Sequence, residues 1–142
     1  VIRGDANRIV IGARTNIQDG TVVHCDSPKP RRPEGFPTII GDDVLNGHMA
    51  MVHGCTLEDR SFVGLGSIIM DGCRIEAEGM LAAGAMLTPG KVIRTRQMWM
   101  GRPAAHVRDI NDEQFADMQA GITGYMLNAR RHKTALDGEA QG

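Results

Sequence analysis

A chain of 142 residues with 16 Lys and Arg against 17 Asp and Glu has room for one domain and a real core, but not for two. Its net charge of −1 sets up no basic field for nucleic acid or anionic lipid. Three cysteines (Cys25, Cys55, Cys73) without a CxxC pair exclude a disulfide framework and a thiolate zinc site, and no apolar run is long enough for a membrane, so a cytoplasmic location is expected.

The chain opens in mid-pattern as VIRGDANRIVIG with no initiator Met, so a preceding segment and any targeting signal are expected to be missing. From there aliphatic residues recur every six positions: Ile11, Ile17 and Val23; Ile40 and Val52; then Leu57, Val63, Ile69, Ile75, Leu81 and Leu87. Small residues follow four places later, at Ser61, Ser67, Cys73, Gly79 and Ala85. A helix has a period near 3.6 and a strand a period of 2, and neither gives six. A triangular β-solenoid does, with the aliphatic residue filling the interior and the small one letting the corner turn. Three hexads make a coil, and coils stack at about 4.8 Å. Such hexapeptide solenoids are left-handed. The alternative is a sandwich of ordinary short strands.

In chain order, the sequence predicts a left-handed parallel β-helix over 1–92 with an inserted loop at 27–38, where proline-rich SPKPRRPEGFP bulges from a corner. A connector follows over 93–110. NDEQFADMQAGITGYMLNARRH reads as a C-terminal helix over 111–134, with Asn111 and Gln114 as a capping box. Phe115, Met118, Ile122, Met126 and Ala129 form its apolar stripe, and 135–142 is a tail. Asn46 occupies an aliphatic place in the hexads, so either its amide turns toward a site or that coil is distorted.

The grid also places the histidines. His24 follows Val23 and His53 follows Val52, so both hold the same place on one face, a coil apart, where their ring nitrogens can converge on one metal ion. His48 lies around a corner; five residues of extended chain reach about 17 Å, too far to share that metal easily within one molecule. If all three bind one ion, His48 comes from a neighbouring subunit, which a three-fold assembly with equivalent sites would satisfy. Asp19 falls one coil from His48, as a supporting carboxylate or a partner for Arg3 across an interface, and Gln18 beside it can reach a metal-bound water.

The stretches VIRGD (1–5), TNIQDGTVVH (15–24), IGDDV (40–44), GHMAMVHGC (47–55), VGLGSIIMDG (63–72) and GRPAAHVR (101–108) resemble the γ-class carbonic anhydrases. The resemblance implies a homotrimer of left-handed β-helices, with His24, His48 and His53 as metal ligands and His48 reaching in from the adjacent subunit. It implies Zn²⁺, with Fe²⁺ or Co²⁺ as alternatives. Arg3 and Asp5 match residues supporting the interface and site, Asn16 and Gln18 match the amides near the metal, and Asp19 matches the acid that follows. Tyr125 corresponds to a tyrosine on the helix. The implied reaction is reversible hydration of CO₂ to bicarbonate by hydroxide on the metal, with Gln18 orienting it and Asn16 polarising the substrate. The acidic loop assigned to proton transfer in the archaeal enzyme has no counterpart; Glu34, in the insertion, is the candidate in its place. Two other readings share the solenoid: an acyl-CoA thioesterase or acyltransferase, and a non-catalytic metal-binding scaffold.

Overall fold

The computed structural model describes residues 1–139. It is the expected left-handed β-helix, made of three flat faces that carry one strand per coil. The first face holds β1 (Ile9–Ile11), β4 (Thr38–Ile40), β7 (Thr56–Leu57), β10 (Arg74–Ile75) and β13 (Val92–Ile93). The second holds β2 (Asn16–Ile17), β5 (Leu45–Asn46), β8 (Phe62–Val63), β11 (Met80–Leu81), β14 (Gln97–Met100) and β15 (Ala105–Asp109). The third holds β3 (Val22–His24), β6 (Met51–His53), β9 (Ile68–Ile69) and β12 (Met86–Leu87). All pairings are parallel except β14 with β15.

The hexad residues form three inward ladders. Ile11, Ile40, Leu57, Ile75 and Ile93 lie in register on the first face. Ile17, Asn46, Val63, Leu81 and Trp99 lie on the second, and Val23, Val52, Ile69 and Leu87 on the third. Below the first coil these aliphatic side chains are almost fully buried. Asn46 resolves neither of the ways expected for it. Its strand pairs in unbroken register with Ile17 above and Val63 below, and its side chain is 0 % exposed inside the prism.

Beyond residue 92, where a connector was expected, the solenoid goes on. Ile93 and Trp99 continue the ladders at the same six-residue step, and β15 then doubles back on β14 after a cis Arg102–Pro103 bond. The half-buried Trp99 packs against that end of the core. The insertion closes as a small hairpin, with backbone bridges between Asp26 and Phe36 and between Lys29 and Arg32. It ends at Pro37, because Thr38 already pairs in β4.

Helix α1 (Asp112–Glu139) begins as expected: Asn111 Oδ1 accepts from the Gln114 N–H at 2.9 Å, and Gln114 Oε1 accepts from the Asn111 N–H at 3.4 Å. It runs past 134, since no glycine or proline stands between that point and Gly138; residues 140–142 of the expected tail lie outside the described residues. Ile122 is buried and Phe115, Met118 and Met126 half-buried, whereas Ala129 is exposed, so only the first half of the helix lies on the solenoid.

One edge of the prism is unusual. Arg14, Asp43, Arg60, Glu78 and Arg96 succeed one another down the corner between the first and second faces, all left-handed at φ 58°, 55°, 59°, 64° and 59°. Each non-glycine there costs about 1 kcal/mol or more. Alternating charge offsets the strain: Arg14 pairs with Asp43 at 2.7 Å and Arg60 with Glu78 at 3.0 Å, while Arg96 pairs with Glu78 and, at 3.1 Å, with Asp112 of the helix.

Candidate metal centre

His24 and His53 end β3 and β6, and they are register partners. Parallel pairing of two short strands therefore sets the rings side by side, tilted 54° to one another with centroids 5.0 Å apart. His24 Nδ1 and His53 Nε2 face each other at 3.0 Å. Each ring's other nitrogen meets a carboxylate: His24 Nε2 lies 2.8 Å from Asp5 Oδ1, and His53 Nδ1 lies 2.5 Å from Asp71 Oδ1. The His24 hydrogen bond, with Arg3 at 2.9 Å, holds the Asp5 carboxyl below its usual range against the opposing effect of burial.

A carboxylate only accepts, so it fixes an N–H on His24 Nε2 and on His53 Nδ1 in the neutral rings. The two nitrogens left facing each other then both present lone pairs. That arrangement is repulsive unless a cation lies between them, either a proton or a metal ion. Neutral imidazoles whose outer N–H groups are held by carboxylates form the donor set that divalent transition metals take. The residues present fit the ion.

The remaining residues from the sequence reading gather around the next corner. Gln18, 8 % exposed, accepts the backbone N–H of His48 at 3.1 Å. His48 Nδ1 lies 3.4 Å from Asp19 Oδ2. Gln18 and Tyr125 bound a cavity of about 400 Å³ between α1 and the second face, walled by Leu45, Phe62, Leu65 and Met80. Asn16 sits in β2 with its Oδ1 buried and unpartnered.

The structure thus brings Arg3, Asp5, His24 and His53 together on one side, and Asn16, Gln18, Asp19, His48 and Tyr125 on another. Among the described residues, no three His, Cys, Asp or Glu side chains of one chain are grouped to hold an ion. Glu34 is exposed on the insertion and lines a separate polar hollow with Arg31 and Arg32. Asp71 was not among the expected site residues. One coil on from His53 the chain reads Met70-Asp71, so the grid that found the histidines held a signal for it.

No family model matches the chain. It is 41% identical over 132 residues to a protein named gamma carbonic anhydrase 1, mitochondrial, from Arabidopsis thaliana, an alignment taking in 93% of this chain and 48% of that one. It is 40% identical over 126 residues to protein YrdA of Escherichia coli (strain K12), covering 89% and 68%. Among solved structures, a hexapeptide transferase family protein from Anaplasma phagocytophilum superposes with a TM-score of 0.82 at 40% identity, over 91% of this chain and 72% of that one. The chain spans about half the length of the plant relatives it matches. No helix among the described residues is long and apolar enough to cross a membrane.

Proposed function

Because the chain belongs to the γ-class carbonic anhydrase family of hexapeptide-repeat proteins, we propose that it catalyses CO₂ + H₂O ⇌ HCO₃⁻ + H⁺ in a homotrimer. The observation that carries this is the pair of imidazole nitrogens, His24 Nδ1 and His53 Nε2, facing each other at 3.0 Å while a carboxylate meets the far nitrogen of each ring. His24 and His53 of one subunit hold Zn²⁺ (or Fe²⁺ or Co²⁺), and His48 of the adjacent subunit supplies the third nitrogen. The separation of His48 from the other two histidines within one chain supports that division. When bound, such an ion supplies Lewis acidity and brings the ionisation of water toward neutral pH.

The chain's own groups do the rest. Asp5, itself paired with Arg3, holds the outer N–H of His24 at the subunit boundary. Asp19 takes the Nδ1 side of His48, so that Nε2 faces the neighbour. The Gln18 carbonyl is tied to the His48 backbone, which leaves its NH₂ to orient water or bicarbonate. Asn16 and Tyr125 offer polar contacts to the substrate, and the apolar walls suit a neutral gas. Glu34 passes the released proton to buffer from the loop rooted at His24.

A second reading is acyl-group chemistry on a CoA thioester. The transferase family name of the Anaplasma structure favours it, as does a cavity of about 400 Å³, when one water takes up only about 30 Å³ and CO₂ is of that order. Stopped-flow CO₂ hydration on anaerobically prepared, Zn²⁺- or Fe²⁺-loaded protein separates the two. Activity is expected that requires the metal and is lost in His53→Ala. A metal-loaded trimer with no rate above that control, but with CoA-ester turnover, would favour the second reading. Neither activity would leave the scaffold.

A further inference from the structure

The two carboxylates behind the histidines are not equivalent. The Asp5 side chain is 54% exposed, and its second oxygen is taken by Arg3 at 2.9 Å. Asp71 is 32% exposed and, among the described residues, pairs with no Lys or Arg. Its negative charge therefore falls on His53 without being shared.

The chain also makes room for that contact. Gly54, directly after His53, is left-handed at φ +54°, and a Cβ there would lie 2.3 Å from Asp71 Oδ1 and 2.8 Å from Phe36 Cβ. Only a residue without a side chain leaves the carboxylate room to reach the ring. The Asp71 carbonyl is held by the Gly90 N–H at 3.0 Å, which fixes the turn that presents it.

We propose that Asp71 is a positioning residue that keeps the proton of His53 on Nδ1, and that it contributes more to metal retention than Asp5 does; the second part rests on the metal reading above. The physical reason lies in the alternative tautomer. Without Asp71, the His53 proton can move to Nε2 and be donated across the 3.0 Å gap to the His24 Nδ1 lone pair. The two imidazoles would then satisfy each other, and a metal ion would have to break that hydrogen bond to enter. Asp71 holds the proton on the far side of the ring, which forbids the self-satisfied pair and leaves the facing nitrogen free to ligate.

The test uses ¹⁵N-labelled metal-free protein, in which long-range ¹H–¹⁵N spectra read each imidazole tautomer, followed by Co²⁺ titration read by its visible absorbance. In the unaltered protein His53 is expected as the Nδ1–H form. In Asp71→Ala it converts to Nε2–H, and Co²⁺ affinity falls by roughly 10- to 100-fold, more than in Asp5→Ala. Gly54→Ala, which displaces the carboxylate without removing it, should move both readouts the same way. Asp71→Asn keeps the shape should the alanine variant fail to fold, and loses roughly tenfold in affinity through charge alone. An unchanged His53 tautomer in Asp71→Ala, or unchanged Co²⁺ affinity in both Asp71 variants, overturns the proposal. If the unaltered protein takes up no Co²⁺ and yet the tautomer switches on removing Asp71, the metal reading fails while the hold of Asp71 on the ring stands.

Discussion

Replacing Asn46 by Val should stabilise the protein, and the size of the effect follows from its surroundings. The side chain is 0 % exposed, between Ile17 and Val63 on an otherwise apolar ladder. Its Oδ1 has no partner, and its Nδ2 reaches only the Asn16 carbonyl at 3.5 Å, longer than the usual 2.7–3.2 Å or so. An uncompensated buried amide costs about 1–3 kcal/mol. Val restores the residue type found one coil below, so the expected gain is about 2 kcal/mol, or roughly 5–10 °C in Tm for a domain of this size. Urea and thermal unfolding followed by Trp99 fluorescence, at matched protein concentration and without metal, would measure it. The reciprocal change, Val63→Asn, should lose at least as much. Because Asn46 faces the interior and not the histidines, Co²⁺ affinity should stay the same in Asn46→Val. A Tm that is unchanged or lower would refute the reasoning, and would mean that the amide is satisfied, for instance by an internal water.

Subunit mixing tests where each site is built. His48→Ala and His53→Ala proteins should each be inactive alone, yet co-refolded at equal ratio they should recover about a quarter of the intact sites, since random mixing pairs an intact His24–His53 face with an intact His48 that often; no recovery would place each site within one chain. The charged edge predicts a pH dependence. Burial raises the Glu78 carboxyl, but Arg96 and Arg60 outweigh it and hold it below its usual range, as Arg14 does for Asp43. Groups lowered in the folded state contribute stability above their unfolded values, near 4, and lose it as pH falls through the folded ones. The urea midpoint should therefore drop below about pH 4, and Arg96→Ala should flatten that drop; an identical slope in the variant would contradict the ladder's role.

Much of this was legible because a period of six is a repeated constraint. The hexad step from Val23 points to residue 29 but the next aliphatic place is Ile40, and once those eleven extra residues are assigned to the loop the register of His24 with His53 follows. The same step, carried on from Leu87, lands on Ile93 and Trp99, but Lys91 breaks the small-residue rule and Trp99 is not aliphatic, so the last coil read as a connector. The helix overran its expected end because its stop depends on breakers, and none stands between 134 and Gly138. Asn46 could not be placed, since sequence gives a residue's polarity but not whether the backbone will bend to accommodate it. The charged corner was invisible for another reason. Left-handed turns announce themselves through glycine, and here arginine, aspartate and glutamate take that backbone, held by neighbours a full coil away.

That corner carries a parity. The signs run plus, minus, plus, minus, plus from Arg14 to Arg96. Excising one coil, or duplicating one, would set arginine on arginine or acid on acid along that edge, whereas changes of two coils would keep the alternation. Asn46 and Trp99 apart, the aliphatic core is indifferent to coil number, because one aliphatic rung packs on another as well as on the next. The edge is not, so a lineage of such solenoids lengthening by internal duplication would be expected to grow more readily in pairs.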